Sequence, residues 1–139
     1  MAKFEFRLQQ VLEYRAMEEG WAKSAYLEAR ANRIEKEVEL AALGDRRTSM
    51  LSAPVFTLDD HRTLEALLLR LDDEEEELKA VINILQNEED SSLNTWHERK
   101  RDLEVLVKLR ERAEDEWRTD EARREQAELD EWTSMRRAA

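Results

Sequence analysis

Cysteine is absent from the 139 residues, proline occurs once, glycine twice, and aromatic side chains make up only 6%. Without cysteine there is no disulfide scaffold, and a metal would have to rely for nitrogen on His61 and His97 alone. Two glycines cannot build a phosphate-cradling loop. So few aromatics argue against a thick core. No run approaches the roughly 18 consecutive apolar residues that a membrane span requires. An excess of basic charge is missing too: the net charge is −11, which disfavours nucleic acid or anionic lipid as the main partner. Residues 1–12 carry charges throughout and do not read as a signal peptide, so a cytoplasmic location is expected.

What the chain has instead is charge and helical periodicity. Charged residues make up 41% of it, the composition of a long helix or coiled coil. From Thr57 to about Arg137 there is no Gly or Pro. Leu64, Leu68, Leu71, Leu78, Ile82, Leu85, Trp96, Leu103, Leu106, Ala113 and Trp117 follow one line of alternating three- and four-residue steps. Glu75, Glu89, Ser92, Arg99 and Arg110 interrupt it. A shorter pattern, Leu27, Ala31, Ile34, Val38 and Ala41, marks an earlier helix that Gly44 is placed to end. Ser49, Ser52 and Pro54 require a turn. Thr57 is a good N-cap, with Asp60 facing the free amides three residues on. The expected fold is all-α: a single long antiparallel two-helix coiled coil, a helical hairpin over 1–139. Helix one covers about 6–47, the loop about 48–56 and helix two about 57–135, ending in a C-terminal helical overhang.

The two apolar patterns fit one register, with Ala41 opposite Leu64, Ile34 opposite Leu71 and Leu27 opposite Leu78. In that register helix one covers helix two as far as Arg99 and sets Trp96 against Leu8. Leu103, Leu106, Ala113 and Trp117 are then left without an intrachain partner, on a stretch roughly 50 Å long. Such a seam is either a binding surface or part of a fraying, highly charged tail. Trp117 is either half-covered by Lys and Arg stems or an anchor for a partner. Trp21 and Tyr26 read as flank positions, and a kink at 88–92 stays open.

The charge is unevenly spread. Residues 59–90 hold twelve acidic against three basic groups, whereas 98–139 hold thirteen against eleven. The acidic run 72–77 reads as a solvated helix face rather than a metal site, and both histidines as surface or flank residues. A two-helix rod offers no water-excluding pocket, so no catalytic residue, cofactor or metal is expected.

The N-terminal FEFRLQQVLEYR and the C-terminal RDLEVLVKLRERAEDEW followed by EARREQAELDE resemble the flagellar export protein FliJ family and its relatives in type III secretion. The resemblance spans essentially the whole chain. It implies a non-enzymatic coiled-coil stalk that enters the hexameric export ATPase and promotes its assembly and activity. It further implies contact with the cytoplasmic domain of the membrane export gate and, for some members, escort of export chaperones. The location implied is cytoplasmic, peripheral to the inner face of the cell membrane through the export apparatus. Carried over by residue, the ATPase side comprises Leu103, Leu106, Leu109, Arg110, Arg112, Trp117, Arg123, Arg124, Gln126 and Leu129, with Phe6, Arg7 and Leu8 opposite. The gate contact falls among Leu40, Leu43, Phe56 and His61. Two other readings stay open: a free-standing coiled-coil adaptor or export chaperone, and a rod that self-associates through the 103–117 seam.

Overall fold

In the computed structural model, which describes residues 3–138, two long helices pack as an antiparallel hairpin: α1 (Gln9–Ser52) and α2 (Leu58–Ala138). A turn at the Gln9 amide, which donates to the Phe6 carbonyl at 3.1 Å, starts α1 and leaves 3–8 as a non-helical lead-in. Gly44 does not end α1. The glycine stays helical, no glycine has positive φ, and α1 runs on to Ser52, whose hydroxyl donates to the Thr48 carbonyl at 2.8 Å. Pro54, which cannot donate to the ladder, lies just beyond. At the start of α2 the expected cap forms reciprocally. The Asp60 amide donates to Thr57 Oγ1 at 3.1 Å, and Asp60 Oδ2 accepts from the Thr57 amide at 3.2 Å. Asp59 and Asp60 in the first turn and Arg136 and Arg137 in the last suit the helix dipole. Through 88–92 α2 is unbroken.

Contacts divide the chain into two units, each a pair of antiparallel segments. One spans Trp21–Trp96 and contains the turn; the other joins the residues up to Gly20 with those from His97 onward. In the first unit, Leu64, Leu68, Leu71, Glu75, Leu78, Ile82, Leu85, Glu89, Ser92 and Trp96 of α2 are all at least half-buried, so the sequence line is the packing line, polar interruptions included. The facing line on α1 differs from expectation. It is Ala22, Tyr26, Ala29, Arg33, Lys36, Leu40, Leu43, Arg47 and Met50. The apolar pattern Leu27, Ile34 and Val38 lies outside, 48%, 42% and 64% exposed, with Ala31 and Ala41 also exposed.

The register moves with it. Leu43 lies beside Leu78 rather than near Leu64, and Met50 shares a groove with Leu64 and Leu67. Tyr26, not Leu8, stacks on Trp96, at 5.6 Å and 20°. The displacement is roughly five helical turns. Its cause is the make-up of the α1 seam, where alanines and the aliphatic stems of Arg33, Lys36 and Arg47 do the covering and the Arg33 and Arg47 heads pair with carboxylates of α2. Hydrophobicity alone therefore pointed to the wrong face.

Candidate functional site

Four of the five polar interruptions of the α2 seam, Glu75, Glu89, Arg99 and Arg110, meet a polar side chain of α1. In the Trp21–Trp96 unit, Arg33 donates to both carboxylate oxygens of Glu89, one at 3.3 Å, and to Glu37 at 2.8 Å. Glu89, 7% exposed, is the buried charged residue among those described, and the paired guanidinium makes its burial tolerable. The same contacts raise the Arg33 pKa, its hydrogen bond to Glu89 first. About four α1 turns away from that layer, Arg47 binds Asp72 and, at 2.9 Å, Glu75. Arg47 is held charged chiefly by its bond to Asp72. Glu75 also accepts from Lys79 at 2.9 Å, and Lys79 first, then Arg47, lowers its pKa below the usual carboxylate value. The 72–77 run is thus only partly a solvated face: Glu75 turns into the pair.

In the other unit the lead-in segment covers the distal seam. Phe4 meets Trp117 with ring centroids 6.0 Å apart at 53°, and the Arg110 guanidinium stands 5.8 Å above the Phe4 ring. Arg110 Nε donates to Gln9 Oε1 at 3.1 Å, and Arg99 pairs with Glu18 at 3.5 Å. Leu103, Leu106, Ala113 and Trp117 are half-buried. The expectation that they face solvent beyond Arg99 is therefore corrected: residues 4–18 lie against α2 as far as Trp117. Short, aromatic and non-helical, the Phe4-Glu5-Phe6 lead-in covers seam without the periodicity that marks a helix.

This arrangement sorts the candidate residues. Phe6, Arg7 and Leu8 line one groove with Leu109, Arg112, Ala113 and Glu116, so the N-terminal and C-terminal candidates come together. Leu103, Leu106, Arg110 and Trp117 belong to the packing beneath. Past Trp117 only Glu121 is half-buried; the remaining residues of 118–138 are exposed. There Arg124 pairs with Glu121 at 3.3 Å, Gln126 donates to Asp130 at 3.0 Å, and Arg123 is exposed. Leu129, Trp132 and Met135 are all well exposed, Trp132 partly capped by Arg136 at 5.1 Å. Of the turn-side set, Leu40 and Leu43 sit in the α1 seam, whereas Phe56, 83% exposed, and His61 face solvent. Sequence reasoning did not single out Phe4 or Gln9 or the Arg33–Glu89 pair. Glu89 was visible as a carboxylate on the packing line, but its partner was hidden by the misplaced α1 face.

Among the described residues no group of three His, Cys, Asp or Glu side chains is placed to hold a metal, and no helix is long and apolar enough to cross a membrane. A family model described as Flagellar FliJ protein matches residues 4–139. No curated protein and no solved structure matches the chain.

Proposed function

The chain belongs to the FliJ family of flagellar export proteins, and from that premise we propose that it is a non-enzymatic stalk whose paired terminal segments bind the hexameric export ATPase. The observation that carries this reading is the shared groove of Phe6, Arg7 and Leu8 with Leu109 and Arg112. A contact that needs both ends of the chain is presented as one surface. Arg123, Arg124, Gln126 and Leu129 extend it along the exposed end of α2, where Leu129 and Trp132 supply the apolar area interfaces favour. Leu103, Leu106, Arg110 and Trp117 hold the surface in shape from below.

A stalk acts through differential affinity. If it binds the assembled ring better than dispersed subunits, mass action favours the ring. Faster turnover requires that it also prefer one ring conformation over another. At the turn, exposed Phe56 and His61 form the contact with the cytoplasmic domain of the export gate, with Leu40 and Leu43 supporting it from the seam. Through these partners the protein is held at the inner face of the cell membrane, and escort of export chaperones fits the same surfaces.

The test is ring assembly and hydrolysis by the cognate ATPase with the Arg112→Glu chain and with the Leu129→Ala/Trp132→Ala chain. All three positions are exposed, so the helices should persist by circular dichroism while stimulation falls at least about tenfold, equivalent to about 1.4 kcal/mol of binding. Unchanged stimulation in both chains refutes the assignment.

A further inference from the structure

The most regular apolar repeat of α1 takes no part in packing against α2. Leu27, Ala31, Ile34, Val38 and Ala41 alternate steps of four and three over two heptads, and all five are exposed. A repeat of this kind is what one coiled-coil helix offers another. We propose that this outer face of α1 is a self-association surface on which a second copy of the chain docks, parallel and in register.

The flanking charges select both the occupant and its direction. With Leu27, Ile34 and Ala41 as d positions and Ala31 and Val38 as a positions, the g positions are Lys23, Arg30 and Glu37, and the e positions Glu28 and Glu35. Parallel in-register pairing brings each g residue to the e residue five positions on in the other copy. Lys23 then meets Glu28 and Arg30 meets Glu35, on both sides of the two-fold axis, which is the arrangement by which e and g charges choose partners. Antiparallel pairing of the same apolar layers instead sets Glu28 against Glu35. It would leave Arg30 only Glu37, which already accepts from Arg33 at 2.8 Å. Among the described residues Glu28, Arg30 and Glu35 have no ion pair within the chain, so they are available, while the Lys23 ammonium, 6.0 Å over the Trp96 ring, would have to swing across to Glu28. The helices are already formed by the hairpin, so association does not bear the cost of nucleating them.

The experiment is sedimentation equilibrium of the full chain from about 5 to about 500 µM, where mass action reveals a weak dimer. The expected result is a concentration-dependent shift from monomer to dimer, weakened as screening rises towards about 1 M salt. Ile34→Lys, at an exposed site, should leave helicity unchanged and weaken the dimer at least about tenfold. Arg30→Glu should weaken it, and Arg30→Glu/Glu35→Arg should restore it. Because the chain lacks cysteine, direction is read cleanly: under mild oxidation the Ser24→Cys chain, at the preceding a position, should form a disulfide with itself. A monomer at every concentration overturns the proposal. So does a dimer indifferent to Ile34→Lys, or a mixture of Ser24→Cys and Ala41→Cys chains that yields only mixed disulfides.

Discussion

At Trp117 the indole is covered on one side by Phe4, and Phe4 in turn by the Arg110 guanidinium. This three-layer contact ties a non-helical lead-in to the helix, so its loss should be felt as instability of the terminal unit. Denaturant unfolding of Phe4→Ala, Trp117→Ala and the double variant should give a coupling of about 0.5–1.5 kcal/mol, the range of aromatic pairs. Additive losses would mean that the rings do not support each other. A second side chain sets a pH response. The Glu75 pKa is depressed by Lys79 and then Arg47, so its contribution is complete above the usual value of 4.5 and is lost as pH falls through its lower folded-state value. Thermal midpoints should therefore drop below pH 4.5, and Glu75→Gln should flatten that part of the profile. An unchanged slope would remove Glu75 from the account.

Between the helices, apolar side chains supply area while charged ones fix which turn meets which. Leucine packs on leucine in many registers, but Glu89 needs Arg33 and Glu75 needs Arg47, and a slipped pair would leave a carboxylate buried alone. Arg33→Glu should accordingly lower the melting temperature, and adding Glu89→Arg should recover part of the loss. Failure of the exchange to recover anything would contradict a register set by charge. The same division of labour explains what could be read beforehand. The α2 seam was legible from Leu64 to Trp117 because its apolar residues mark most layers and its interruptions keep the spacing. The Thr57–Asp60 cap was legible because capping is local chemistry. The α1 face was not, since its seam of Ala22, Ala29, Arg33 and Arg47 is less hydrophobic than the Leu27–Val38 stripe it turns away from the partner helix. Cross-helix charge pairing depends on both faces at once and is invisible to either pattern alone.

For the molecule as a whole, the corrected register moves the proposed functional surface rather than removing it. Seam residues once expected to await a partner are covered by Phe4 and its neighbours. The surface proposed for the ATPase is a groove built from both ends of the chain, together with the exposed helix beyond Trp117. Truncation should reveal the distinction. A chain ending at Trp117 keeps the groove and loses Leu129 and Trp132, so ATPase binding should weaken rather than vanish, as a titration would show. Complete loss would place the whole contact on the final turns. The most direct measurement is hydroxyl-radical footprinting of the chain with and without the assembled ATPase. Simultaneous protection of Phe6, Leu8 and Leu109, with Leu27, Ile34 and Val38 unchanged, is the predicted result. Protection of Leu109 while Phe6 and Leu8 stay reactive, or protection on the Leu27–Val38 face instead, would contradict it.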